Sequence, residues 1–205
     1  MVSVLIPTKG RPEKLARCVN SINACCEILI LATSPNDIAQ QTLDDERVTI
    51  YYDAKLSVIQ AQNFLASKAK YNLMPTSDHV EYMFDSITEA RKMLYSEFDG
   101  YGVVGFNVVN MRANNDAFVL VGREWYEKRG LFNPEYQHFY ADTELGDYAK
   151  ALGKFKVCEL ARMKNYHPSC GVEADATHNE KRSEKLEHDR LVYEKWKGKG
   201  CGLSL

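Results

Sequence analysis

The sequence predicts a single α/β domain built on a Rossmann-like, mostly parallel central sheet flanked by helices. Three observations carry this. Short apolar runs at residues 3–7, 27–32, 47–52 and 71–76 alternate with stretches of helical periodicity, the pattern of right-handed crossover units. A length of 205 residues with 45% apolar composition suffices for one well-buried core. The polar residues Thr8, Asp78 and His79 fall just past predicted strand ends, where open parallel sheets bind ligands.

Taken in order, residues 3–7 read as a short buried strand. Leu15, Cys18, Val19 and Ile22 then recur at helical spacing and give one apolar stripe to lay on the sheet. Glu27-Ile28-Leu29-Ile30-Leu31-Ala32 is a second buried strand, closed by the turn-forming Ser34-Pro35-Asn36-Asp37. Residues 47–52 form a third strand. Ser57 is placed to N-cap a helix carrying Val58, Ala61 and Leu65, and residues 71–76 form a fourth strand. The second half changes character. A helix over 86–98 precedes strand-like runs at 101–109 and 117–122 and a turn-rich stretch with Gly130 and Pro134. Asp142 opens a helix whose Leu145, Tyr148, Ala149 and Leu152 recur at helical spacing, and 155–160 reads as a last strand. Residues 180–197 read as a charged helix before Gly198, Gly200 and Gly202.

A net charge of −2 gives no bulk attraction to nucleic acid or anionic membrane. Lys181, Arg182, Lys185, Arg190, Lys195, Lys197 and Lys199 are interleaved with Glu180, Glu184, Glu187 and Glu194, which reads as a solvated helix face. No run approaches the roughly 18 apolar residues of a membrane span, and a soluble, cytoplasmic protein is expected. The six cysteines show no Cys-x-x-Cys spacing, so reduced thiols filling the core, such as Cys18 and Cys158, are expected.

Three blocks carry the chemistry. Val4-Leu5-Ile6-Pro7-Thr8-Lys9-Gly10-Arg11-Pro12 runs a strand into a turn and a helix; it is either a simple strand-to-helix junction with Pro near N1 or an anion site. Leu73-Met74-Pro75-Thr76-Ser77-Asp78-His79-Val80 ends a strand in an acid and an imidazole. His138-Phe139-Tyr140-Ala141-Asp142-Thr143-Glu144-Leu145 puts a carboxylate at a helix mouth, where it serves as a cap, a base, or both.

In this order, and with the lead-in Gly130-Leu131-Phe132-Asn133-Pro134, the blocks resemble the inverting glycosyltransferases of family 2, of GT-A fold, in a small single-domain form of bacterial or phage type. The likeness spans Val2 to Pro168. It implies a nucleotide-binding half (1–80), an acceptor and catalytic half (81–170) and a helical tail (171–205), in a bacterial cell or phage-infected host. It implies that Pro7, Thr8, Arg11, Asn63 and Asp78 hold the nucleotide sugar. Asp78, His79 and His167 would hold Mn²⁺ or Mg²⁺, with His178 a competitor for His167. Asp142 would be the general base that deprotonates an acceptor hydroxyl. The acceptor, a carbohydrate or other hydroxyl compound, falls to the loops 110–116 and 135–140; modified DNA is not favoured.

The departures from the family pattern are specific. Gln62 replaces an Arg, Ala141 replaces the first acid of the base motif, and Ser77-Asp78-His79 keeps one acid of a pair. Imidazole suits Mn²⁺ better than Mg²⁺. Losing the acid at Ala141 predicts a lower pKa for Asp142 than a like-charged pair would give. Leu31-Ala32-Thr33-Ser34-Pro35-Asn36-Asp37 lacks the acids that read the base unless Asp37 substitutes, so the expected UDP-sugar donor is open on this point. These losses keep a degenerate, non-catalytic nucleotide-sugar binder as the alternative. A sugar-phosphate nucleotidyltransferase fits poorly, because the first turn is poor in glycine.

Overall fold

The computed structural model describes residues 1–111, 116–170 and 182–197. The elements are β1 (Val2–Thr8), α1 (Pro12–Ser21), β2 (Cys26–Ala32), a 3-10 turn (Pro35–Asp37), α2 (Gln40–Leu43), β3 (Val48–Tyr52), α3 (Val58–Lys68), β4 (Asn72–Pro75) and β5 (Val80–Tyr82). There follow α4 (Ser86–Phe98), β6 (Val103–Val108), β7 (Val119–Val121), α5 (Arg123–Arg129), α6 (Ala141–Ala151), β8 (Phe155–Asn165), a 3-10 turn (Pro168–Cys170) and α7 (Arg182–Trp196).

The strands form one sheet in the order β3-β2-β1-β4-β7-β6-β8-β5. β1 to β4 are mutually parallel, and β6 and β8 run the same way; β7 and β5 are antiparallel to their neighbours. Alternation along β1 sorts the two faces. Val2, Val4 and Ile6 meet α1 and α4 through Leu15, Val19, Ala90 and Leu94. Leu5 faces the other layer with Ile59 and Leu65 of α3, Trp125 of α5 and Leu145 of α6. Buried on both faces, the parallel strands must be apolar throughout, which is why they stand out in the sequence.

Local chemistry explains the ends. Ser57 caps α3, accepting the Gln60 N–H at 3.3 Å while the Gln60 side chain accepts the Ser57 N–H at 2.9 Å. At the β7–α5 junction a Cβ on Gly122 would lie 1.9 Å from the Gly100 carbonyl oxygen, so only glycine fits.

Several elements differ from the sequence reading. β8 runs to Asn165, five residues beyond the predicted strand, because its far half pairs with β5 and, past an irregularity between Phe106 and Asn107, with the end of β6. The short β5 and α2 were not predicted. α6 is not capped by Asp142: Tyr140 is its N-cap, in a left-handed conformation (φ 62°), and Asp142 lies inside the first turn. The tail helix is not simply a solvated face, since Asp189 is fully buried and Val192 nearly so. Glu180, Lys181 and the residues from Gly198 on lie outside the described residues. Cys18, Cys26 and Cys158 are buried free thiols, as expected of core cysteines. Burial pushes the Cys26 thiol up to about 11. Among the described residues no helix is long and apolar enough to cross a membrane.

Candidate functional site

At the carboxyl ends of β1 and β3 lies a cavity of about 520 Å³. Its lining includes Pro7, Thr8, Lys9 and Arg11 from the turn after β1, Thr33 after β2, the stretch Asp53–Val58, and Pro134–His138 with Lys185 of α7 opposite. Four cationic side chains (Lys9, Arg11, Lys55, Lys185) meet two acids (Asp53, Glu135) on this lining. Glu135 is already bound to Lys195 at 2.9 Å. The cavity of a slightly acidic protein is thus locally positive, which suits a polyanion. Its lining draws on residues from all three segments of the chain.

Beside it stands the Asp78 corner, between β4 and β5. Asp78 is 2% exposed. Its Oδ2 accepts the Thr8 hydroxyl at 2.8 Å, and its Oδ1 lies 3.2 Å from both Arg11 Nη1 and His79 Nδ1. Arg11 Nη1 is also 3.2 Å from His79 Nδ1. The first turn and the Ser77-Asp78-His79 corner, some seventy residues apart in sequence, are therefore one structure. The Tyr166 N–H donates to the His79 carbonyl at 2.8 Å, continuing the β5–β8 ladder. This delivers His167, whose ring centroid is 5.5 Å from that of His79. His178 lies outside the described residues.

One carboxylate and two imidazoles make a mixed oxygen and nitrogen donor set, which fits Mn²⁺ better than Mg²⁺. Among the described residues no three His, Cys, Asp or Glu side chains converge as a ligand group, and the Arg11 guanidinium lies against both Asp78 and His79. The corner offers oxygen and nitrogen donors but no all-protein cage, so a divalent cation here would need ligands from a bound group as well.

Asp142 sits in the first turn of α6, four residues beyond the lining residue His138, and is not itself on the lining. It is half-buried, and its Oδ1 accepts the Thr143 N–H at 2.9 Å. Its pKa is raised. Burial is the main cause and the charge of Asp116 adds to it, against hydrogen bonds from the Thr143 and Asp142 N–H groups. One acid is absent at Ala141, but burial and the charge of Asp116 still hold this carboxyl above its ordinary value. A raised pKa makes the carboxylate a better proton acceptor.

Two expected donor contacts have other work. The Asn63 amide donates to the Phe132 carbonyl at 2.9 Å and accepts the Phe132 N–H at 3.2 Å, so it clamps the lead-in loop instead of lining the cavity. Gln62, which stands in place of an Arg, is buried and donates to the Thr76 carbonyl at 3.1 Å. Asp37 does not read a base. Its Oδ2 accepts the Thr33 N–H (2.9 Å), the Thr33 hydroxyl (2.7 Å) and the Ser34 N–H (2.9 Å), and its Oδ1 accepts the Gly10 N–H at 2.7 Å. Asn110 exchanges hydrogen bonds with the Asn165 backbone at 2.7 and 2.9 Å, while residues 112–115 of that expected acceptor loop lie outside the described residues.

The sequence reading missed Lys55, Asp53, Lys185 and Asp189. Asp189 of α7 accepts the N–H groups of Gln137 (2.9 Å), His138 (2.7 Å) and Phe139 (2.7 Å), pinning the far wall of the cavity. The signal for it is a stripe at Lys185, Asp189, Val192 and Trp196, spaced as one helical face.

The sequence matches no protein-family profile, and no curated protein matches it. Among solved structures it is similar to the mannosyltransferase PcManGT from Pyrobaculum calidifontis, determined in complex with GDP-Man and Mn²⁺: TM-score 0.71, 13% identity, covering 94% of this chain and 64% of that one. The chain thus spans a little under two thirds of that protein's length, and at this identity the likeness is one of fold. The mostly parallel sheet with helices on both faces is a glycosyltransferase-type, Rossmann-like fold.

Proposed function

We propose that this chain is a metal-dependent, inverting glycosyltransferase of family-2 type, moving a sugar from a nucleotide-sugar donor to an acceptor hydroxyl. The observation that carries the reading is the cation-ringed cavity at the strand ends, joined through Thr8 and Arg11 to the Asp78 corner. The solved neighbour of the same fold was determined with a nucleotide sugar and Mn²⁺, which supports the same ligand class here.

Pro7, Thr8, Lys9 and Arg11 bind the donor, with Arg11 forking onto the diphosphate. Asp78, His79 and His167, which share one corner without converging as a closed ligand group, would hold Mn²⁺. When bound, the ion neutralises charge building on the leaving diphosphate. Asp142 takes the proton of the acceptor hydroxyl. The acceptor oxygen then bonds to the anomeric carbon as the bond from that carbon to the diphosphate oxygen breaks on the opposite face, inverting the configuration. One base suffices for this single displacement. Asn63 acts as a positioning residue, holding the loop that leads to the base. The loop at residues 135–140 serves donor and acceptor alike. The expected UDP rests on resemblance alone, and nothing on the cavity wall requires it.

The test is Mn²⁺-dependent release of nucleoside diphosphate from a panel of nucleotide sugars. Asp142→Asn should lower release by about 10²- to 10⁴-fold while leaving nucleotide binding intact. Wild-type turnover in that variant overturns the assignment of the base. A second reading, the non-catalytic binder, is favoured by the Arg11 contacts to Asp78 and His79. Nucleotide binding with no turnover on any donor selects it.

A further inference from the structure

We propose that Asp53 reads the base of the donor nucleotide, and that its carboxylate selects guanine over uracil. The inference rests on the donor-cavity reading above.

The acid that follows β2 is spoken for, since Asp37 closes on Thr33, Ser34 and Gly10 and is absent from the cavity lining. Of the acids on the lining, Glu135 is held by Lys195 and by the Trp196 indole N–H at 3.2 Å. Asp53 is held differently. The backbone carries it just past β3, where its N–H donates to the Ala32 carbonyl at 3.0 Å and so continues the β2–β3 ladder. Its Oδ1 accepts the Lys55 N–H at 2.7 Å, which fixes the carboxylate, and Oδ2 has no hydrogen bond among the described residues.

Position in the sheet supports the role. β3 is two strands from β1 and three from β4. At about 4.8 Å per strand, Asp53 stands roughly 10 Å across the sheet from the Thr8–Arg11 turn. With the diphosphate on Arg11, and the sugar towards Asp78, the ribose spans this gap and the base arrives at β3.

The chemistry of the edge then selects. An ionised carboxylate only accepts hydrogen bonds. Guanine offers N1–H and the N2 amino group side by side, two donors for two oxygens. Uracil offers one N3–H between two carbonyl oxygens, which repel a carboxylate.

The experiment is calorimetric titration of GDP, IDP and UDP, in Mn²⁺ buffer, into wild-type protein, Asp53→Ala and Asp53→Asn. Wild type should bind GDP at least tenfold tighter than UDP, with IDP, which lacks the N2 amino group, between them. Asp53→Ala should weaken GDP about 10- to 100-fold, the size of lost charge-assisted bonds, and leave UDP nearly unchanged. Asp53→Asn keeps the shape and should fall between. A GDP-to-UDP ratio unaltered by Asp53→Ala, or a wild-type preference for UDP, overturns the proposal while leaving the donor cavity standing. Absence of binding for all three nucleotides in the wild type overturns both.

Discussion

Replacing Asp189 by Ala tests whether the C-terminal helix is structural furniture or part of the binding wall. The carboxylate has no solvent exposure and accepts three consecutive backbone N–H groups, from Gln137, His138 and Phe139, besides the His188 ring at 2.8 Å. Each stranded donor costs about 1–3 kcal/mol where water cannot replace the acceptor. Because Gln137–Phe139 are themselves partly exposed, water enters and the low end applies, giving about 3 kcal/mol in total. That is a large share of the 5–15 kcal/mol of a typical domain, roughly. Asp189→Asn keeps one acceptor oxygen and turns an amide N–H towards donors, so its loss should be about half as large. Urea denaturation measures both. Titration with a nucleoside diphosphate gives the second readout, since residues 134–138 line the cavity and should bind several-fold more weakly when released. The pH dependence has a definite sign. Burial raises the Asp189 pKa, but the bonds from His188 and the three N–H groups outweigh it and the net shift is downward. Stability from this carboxylate is therefore present above its unfolded pKa of about 3.9 and lost as pH falls through the lower folded value. An Asp189→Ala protein within about 0.5 kcal/mol of wild type, binding nucleotide unchanged, refutes the reasoning.

Asp142→Asn should lower turnover by about 10²- to 10⁴-fold in a donor-release assay. Its raised pKa means the folded state disfavours the charged form at neutral pH, so the same variant should melt slightly higher than wild type at pH 7 and lose that advantage below the unfolded pKa. The wild-type rate should rise with pH through a pKa above the ordinary carboxylate value. Asn63→Ala removes both bonds to the Phe132 backbone and should cost about 1–3 kcal/mol by denaturation, with slower turnover as the loop before Asp142 loosens. Thr8→Val keeps the shape but strips a hydrogen bond from the buried Asp78 carboxylate, which should cost about 1.5–3 kcal/mol and is read as a fall in Tm.

How much of the fold was legible follows from what each strand must bury. β1 to β4 lie between two helical layers, so their sequences are apolar runs that periodicity alone finds. β8 breaks the rule because its far half alternates, with Ala161, Met163 and Asn165 buried and Arg162 and Lys164 exposed. Read linearly, those charges end the strand; only the partners, β5 and the end of β6, keep it going. A three-residue β5 has no period to detect, and the order that places β8 between β6 and β5 is a property of long-range pairing.

The site divides along the same line. Thr8, Arg11, Asp78, His79 and His167 were named from motif resemblance, and the fold does bring them to one corner. Asn63 was named on the same grounds but is consumed by a loop, because a side-chain amide facing an open backbone pair is captured by it. Asp37 and Asp53, just beyond the ends of β2 and β3, show the principle most clearly. Asp37 ends a 3-10 turn, and the N–H groups of Ser34 and Thr33, three and four residues before it, close on its carboxylate as a local cap. Asp53 meets only one such donor, at Lys55, and retains an oxygen for something else. Spacing along the chain cannot tell these cases apart, because the number of backbone donors within reach depends on how the turn is wound.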